Sequence, residues 1–186
     1  HHPRPRDARD FLPKVMDQLV DMVCIVDEHG HYVFINAACQ SLLGYRPEEL
    51  IGRNMIDLVV PEDRQRTLDA VVEIMAGQPK THFENRYRRK DGRVVDIMWS
   101  ARWSAADRIR IAIARDVTPI KRAGRLQNAV YRISEAAYAA HSLVDLYQHI
   151  HRAINDLLPA DNFAVALYER SQGILYFPYF ADQRAP

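Results

Sequence analysis

Apolar positions along the chain change period several times, and each change marks an element. Phe11, Val15, Met16, Leu19 and Val20 fall on one helical stripe. "MVCIVDEHGHYVFIN" is two apolar runs around Asp27-Glu28-His29-Gly30, a hairpin with Gly at its turn. Asn36 is placed to cap a short helix, "AACQSLL", that Gly44 closes. Pro47 opens another short helix, with Glu48 and Glu49 at the positive end of its dipole. A longer helix starts at Pro61 and carries Leu68, Val71, Val72 and Met75 as its apolar stripe; Gly77 and Pro79 end it.

Three strands follow. "THFENRYRR" and "VVDIMWSARWS" flank a turn containing Asp91-Gly92, and "IRIAIARDV" is the third. Strict alternation in the middle strand sends Val95, Ile97, Trp99, Ala101 and Trp103 inward. Ile113 of the third strand is expected inward as well. From Thr118 the period becomes helical. Leu126, Val130, Ile133, Ala137, Ala140 and Val144 form a heptad-like seam that its alanines weaken. Ser142 with Asp145 restarts a second helix bearing Leu146, Ile150, Ile154 and Leu157, and "NFAVALYERSQGILYFPYF" reads as a hairpin. The expected class is α+β: a five-stranded antiparallel sheet with helices on one face, then a helical linker and a smaller α/β segment. A lone two-stranded hairpin is marginal in water. The apolar Leu175, Tyr176, Phe177, Tyr179 and Phe180 therefore imply that the second unit continues beyond this stretch.

Composition narrows the class further. A formal net charge of +1 over 186 residues supplies no basic field for nucleic acid or an anionic membrane. The N-terminus, "HHPRPRDARD", is too polar for a signal peptide, residues 1–10 read as a disordered tail, and no 18-residue apolar run occurs. The two cysteines, Cys24 and Cys39, lack zinc-type spacing and read as reduced thiols of a cytoplasmic protein. His29, His31, His149 and His151 read as solvated surface histidines, with no metal pair among them, and no nucleophile has a base at catalytic spacing.

Four fragments in order, "VDEHGHYVFINAACQSLLGY", "RPEELIGRNMIDLVVPEDR", "RYRRKDGRVVDIMWS" and "RDVTPIKR", resemble a PAS sensory domain over residues 11–122. "LLPADNFAVALYERSQGILYFPYFADQ" resembles the start of a GAF domain. These resemblances imply a PAS domain with an N-terminal flanking helix (11–122), a signalling helix (123–140) and the N-terminal fragment of a GAF domain (141–186). Relatives of this kind place such modules before a histidine kinase or a GGDEF or EAL cyclic-dinucleotide enzyme. No GGDEF-like or EAL-like string, ATP-binding glycine box or phosphoacceptor helix is present, so this stretch itself is expected to be regulatory rather than catalytic.

The resemblance implies a pocket between sheet and helices, with Ile25, Phe34, Met55, Leu58, Val72, Met75, Tyr87, Ile97, Trp99 and Ile113 as its expected lining. Haem is disfavoured, because the long helix before the hairpin holds no His and His82 follows its end. The light-sensing relatives carry a flavin-bonding cysteine where this chain has Met55, a basic residue at Ile56 and a glutamine at Val59; the matching sheet positions are Tyr87, Ile97 and Ala114. A flavin edge against Val59, Ile97 and Ala114 would leave polar groups unpaired at roughly 1–3 kcal/mol each. A thioether also cannot act as the nucleophile, so FMN photochemistry is disfavoured. FAD, beside an inward Trp99, and a small apolar ligand both stay open. Asp116-Val117-Thr118 looks like the family's Asp-x-Thr output motif, with Asp116 and Thr118 as signal-transfer residues and Asp116 expected to pair with a cation. Family precedent also implies a homodimer through the Phe11–Val20 helix and the Leu126–Val144 seam.

Overall fold

The computed structural model describes residues 8–182, with no account of the side chains of residues 8–10 and Pro13. The reading of residues 1–10 as a disordered tail lies outside the described residues up to position 7, and a helix already begins at Ala8. The chain divides into two compact units, residues 1–118 and 119–186.

The first unit opens with α1 (Ala8–Gln18), followed by the strands β1 (Met22–Asp27) and β2 (Tyr32–Ile35). Two short helices, α2 (Ala38–Leu43) and α3 (Pro47–Leu50), a 3-10 turn (Met55–Leu58) and α4 (Pro61–Met75) come next. Then follow β3 (Lys80–Arg88), β4 (Val94–Ser104) and β5 (Ile109–Asp116). The five strands form one antiparallel sheet in the order β2-β1-β5-β4-β3. The core lies on one face, where Met22, Cys24 and Val26 of β1, Val95, Ile97, Trp99 and Ala101 of β4, and Ala112 and Ala114 of β5 meet Leu43, Leu50 and Ile74 of the helices.

Local chemistry explains the joints. Gly30 turns the first hairpin at φ +89°, and a side chain there would press on Asn54 at 3.1 Å. Asn54 uses that space. Its Nδ2 donates to the His29 carbonyl at 2.9 Å, while its Oδ1 accepts from the Ile56 amide at 3.2 Å and so caps the 3-10 turn. Asp63 locks α4 to β3, with its carboxylate accepting from the Arg86 amide (2.8 Å) and bidentately from the Arg86 guanidinium (3.0 and 2.9 Å). Arg86 holds the Asp63 carboxyl down at about 2, against an ordinary 3.8.

Several expectations change. Asn36 does not cap α2. It is buried, accepts from the Val23 amide at 2.9 Å, and donates to the carbonyls of Met16 (2.8 Å) and Asp21 (3.2 Å), tying the end of α1 to the sheet. The buried line of α4 is Asp63, Thr67, Ala70 and Ile74, whereas Leu68 and Val72 face outward, Val72 at 68% exposure. The buried polar members of that line have partners on β3, which frees the helix from turning its most apolar stripe inward.

In the second unit α5 (Thr118–Ala139) buries Ala129 and Ala136, and leaves Leu126 and Val130 exposed. Then come α6 (Leu143–Asn155), capped by Ser142 Oγ accepting from the Asp145 amide at 3.1 Å, and the antiparallel pair β6 (Asn162–Glu169) and β7 (Ile174–Asp182). His151 is not a solvated surface histidine. It is half-buried, stacks on Phe163 at 4.8 Å, and bonds to the Tyr179 hydroxyl (3.1 Å) and the Ala160 carbonyl (2.8 Å). No helix among the described residues is long and apolar enough to cross a membrane.

Candidate functional site

The inner face of the sheet and α4 flank a partly open cavity of the first unit. Space for the centre of a water-sized sphere amounts to about 40 Å³, above the roughly 10–15 Å³ that one water needs. Its apolar walls include Cys24, Val26, Met55, Ala70, Ile74, Phe83, Ala101 and Ala112.

Cross-strand register sets which side chains reach it. Trp99 of β4 stands opposite Ala114 of β5, Ala101 opposite Ala112, and Trp103 opposite Arg110. Directly opposed residues share a face, so the inward turn of Trp99 and Ala101 carries Ala112, Ala114 and Arg110 inward with them. On the far side of β5, Val26 of β1 pairs with both Arg110 and Tyr32. Tyr32, Val26 and Arg110 thus form a row across three strands at one end of the cavity.

The polar groups of the cavity are of two kinds. One set is satisfied: Thr67 Oγ1 donates to the Asp63 carbonyl (2.7 Å) and accepts from Asn85 Nδ2 (2.9 Å), and Asn85 Oδ1 accepts from Trp99 Nε1 (2.8 Å). This chain links α4, β3 and β4, and Trp99 also meets the Tyr87 ring at 5.4 Å between centroids. The other set is not satisfied. Arg110 is 3% exposed, and its Nη1 has no hydrogen-bond partner; its Nη2 reaches only the thioether of Met55, at 3.2 Å. The buried Tyr32 hydroxyl makes no well-formed hydrogen bond and lies beside the neutral Tyr87 hydroxyl. Among the described residues no carboxylate comes within ion-pair distance of Arg110, and burial pulls its pKa below the usual range. Lys80 at the cavity's edge is already paired with Glu73. Burial pushes the Cys24 thiol up to about 12 and the Cys39 thiol up to about 11, which makes both poor nucleophiles.

Of the lining expected from the sequence, Met55, Tyr87 and Trp99 border the cavity. Leu58 and Ile97 are buried in the surrounding core, and Met75 is half-buried at the end of α4. Ile25 and Phe34 pair with each other on the opposite face of the sheet, as does Ile113, which is 45% exposed; Val72 lies outside as well. Arg110 and Tyr32 were missed. A signal for Arg110 does exist. Once Trp103 is turned inward, the four-residue turn from Ala105 to Arg108 brings Arg110 opposite it, and Ala112 and Ala114 supply the small partners that Ala101 and Trp99 require. Val59, Ile97 and Ala114, the positions opposite a flavin edge, are fully buried and present no polar side-chain atom. Among the described residues no cluster of His, Cys, Asp and Glu could hold a metal ion.

The Asp-x-Thr segment joins β5 to α5. Asp116 Oδ1 accepts from the Thr118 amide at 2.8 Å, and Thr118 Oγ1 accepts from the Asp96 amide of β4 at 2.8 Å. The partner of Asp116 is thus the first amide of α5 rather than the expected cation.

A five-stranded antiparallel sheet with helices and a cavity on one face is an α+β architecture. Residues 10–116 match the family model described as the PAS fold, and the chain belongs to the PAS family. It is similar to a probable diguanylate cyclase of Escherichia coli (32% identical over 79 residues, 42% of this chain and 7% of the relative). It is also similar to the C4-dicarboxylate transport sensor protein of Rhodobacter capsulatus (30% over 109 residues, 55% and 17%). The chain spans less than a fifth of either relative. Among solved structures it resembles the PAS domain of a Colwellia psychrerythraea protein, with TM-score 0.55 and 26% identity over 61% of this chain and 99% of that one. A domain of a sensory box sensor histidine kinase/response regulator from Geobacter sulfurreducens shares the fold at TM-score 0.52 and 24% identity, over 59% and 94%. The chain is mainly a sensory domain of the kind found in signalling proteins, and such a domain is not a catalyst.

Proposed function

We propose that this chain is the sensory and regulatory part of a cytoplasmic signalling protein. It takes a small ligand into the cavity between sheet and helices, and passes a conformational change through α5 to an output domain in the same polypeptide. The observation that carries this reading is the continuity of β4. Trp99 borders the cavity, and three residues earlier the Asp96 amide holds Thr118, the first residue of α5. A ligand that shifts the inner face of β4 and β5 bears directly on the start of that helix, and so biases its position between two states. The similarity to a sensor protein and a probable cyclase supports a histidine kinase or cyclic-dinucleotide enzyme as the output.

Residues 141–186 are read as the opening of a GAF domain, whose further strands would cover the exposed Leu175, Tyr176, Phe177 and Phe180. Exposed apolar side chains on α1 (Phe11, Leu12, Val15) and α5 (Leu126, Val130) support homodimerisation through these helices. Sedimentation of the chain should give a dimer that Leu126→Glu with Val130→Glu disrupts; a monomer at tens of micromolar contradicts that part. For the relay, Asp116→Ala and Thr118→Ala in the intact protein should leave the fold in place and abolish the dependence of output on stimulus. Unchanged regulation in both variants would contradict the relay.

A further inference from the structure

We infer that the cavity is an anion-reading site for a small monocarboxylate, with Arg110 and Tyr32 as its donors and the apolar walls receiving a short hydrocarbon tail. The inference rests on the small-ligand reading above and names the ligand's chemistry. A guanidinium buried without a carboxylate is costly, because its lost hydration is not replaced. A thioether is a weak acceptor, so Met55 at 3.2 Å returns little of that loss. Arg110 Nη1 is left without a partner, and across Val26 the Tyr32 hydroxyl has only the neutral Tyr87 hydroxyl beside it, without a well-formed hydrogen bond. These are the donor types a carboxylate takes in charge-assisted hydrogen bonds.

The groups around the site fix the ligand's charge. Those near enough to act on Arg110 are Tyr87, Cys24, Tyr32 and Asp27. Tyr32, Tyr87 and Cys24 stay neutral, since burial raises all three. Asp27 is engaged by the amides of His29 and His31 in the β1–β2 turn. Lys80 is neutralised by Glu73. Asp27 stays ionised and acts on Arg110 from the β1–β2 turn without reaching ion-pair distance, so the site holds one guanidinium with no salt-bridge partner among the described residues, which suits a monoanion better than a dianion. A second carboxylate would find no further free cation among the described residues of the cavity, since Lys80 is paired with Glu73 and the Thr67 and Asn85 side chains are bonded to each other, to the Asp63 carbonyl and to Trp99. Met55 is the movable element. It is long, unbranched and carried on a 3-10 turn, so it can swing off the guanidinium as the carboxylate replaces its sulfur.

The test is titration of the full 186-residue chain with butyrate and hexanoate, read by chemical-shift perturbation and by thermal melting. Butan-1-ol, butylamine and succinate serve as controls. Butyrate should bind saturably and raise the melting temperature, with succinate and butylamine at least tenfold weaker. Arg110→Met should weaken butyrate at least tenfold, while leaving butan-1-ol as it was. Tyr32→Phe, which keeps the ring and removes only the hydroxyl, should weaken butyrate several-fold and serves as the second variant if Arg110→Met fails to fold. Equal binding of butyrate and butan-1-ol, unaffected by either substitution, overturns the carboxylate inference but keeps a small-ligand cavity. Absence of binding by every probe overturns the inference and counts against the small-ligand reading as well.

Discussion

On the inner face of β5 stand Arg110, Ala112 and Ala114; on its outer face stand Ile109, Ile111 and Ile113. Apolarity alone would exchange the two faces, and α4 repeats the pattern, burying Asp63 and Thr67 while exposing Leu68 and Val72. The inner face has two needs that polarity does not report. It must leave room beneath Trp99, which calls for alanine. It also holds polar side chains, some tied into a network and some left open toward a cavity. The outer face has no such demands within this unit, and its isoleucines serve the strand by their β-branched shape.

Substitutions on the two faces separate these roles. Ile97 is fully buried on the inner face, and Ile97→Ala should cost about 2–5 kcal/mol in urea unfolding, the usual range for a large apolar side chain removed from a core. Asp63→Asn should cost less, about 2 kcal/mol, because it weakens charged hydrogen bonds to a half-exposed Arg86. Its effect carries a pH signature. The folded carboxyl titrates near 2 and the unfolded one near 3.8. The folded state therefore binds the proton less readily, and Asp63's contribution is complete above pH 4–5 and fades as the pH falls through 3.8 toward 2. Wild-type stability should drop across that window, and the drop should be shallower in Asp63→Asn. Ile113→Ala on the outer face should change the stability of the isolated monomer by less than about 1 kcal/mol. A loss as large as that of Ile97→Ala would mean that the face is covered in solution.

Much of the fold was legible in the sequence because turns and caps are local. Gly30, Asp91-Gly92, Pro47, Pro61 and Ser142 with Asp145 each mark an element boundary by their own backbone or side-chain chemistry. The alternation in β4 was equally legible, since Val95, Ile97 and Trp99 are large and apolar on a single face. What failed was the choice of the inward residues on β5 and α4. There the buried residues are small or polar, and their acceptability depends on partners distant in sequence: Ala112 under Ala101, Thr67 beside Asn85, Asp63 against Arg86. Arg110 was hidden for the same reason, an arginine between isoleucines reading as the solvated side. Asn36, taken as a cap, instead bonds back to Met16 and Asp21, a contact that no local pattern encodes.

The central claim is the orientation of β5, since it alone puts Arg110 in the cavity. Thiol labelling reads it directly. The native Cys24 and Cys39 are buried, with thiols raised to about 12 and about 11, so the native protein should show little reaction with a maleimide at pH 7. Ile113→Cys should add one rapidly labelled thiol, and Ala112→Cys should add one that stays protected until the protein is unfolded. Rapid labelling of Ala112→Cys with protection of Ile113→Cys would contradict the account, because it would turn the isoleucines inward and Arg110 out to solvent.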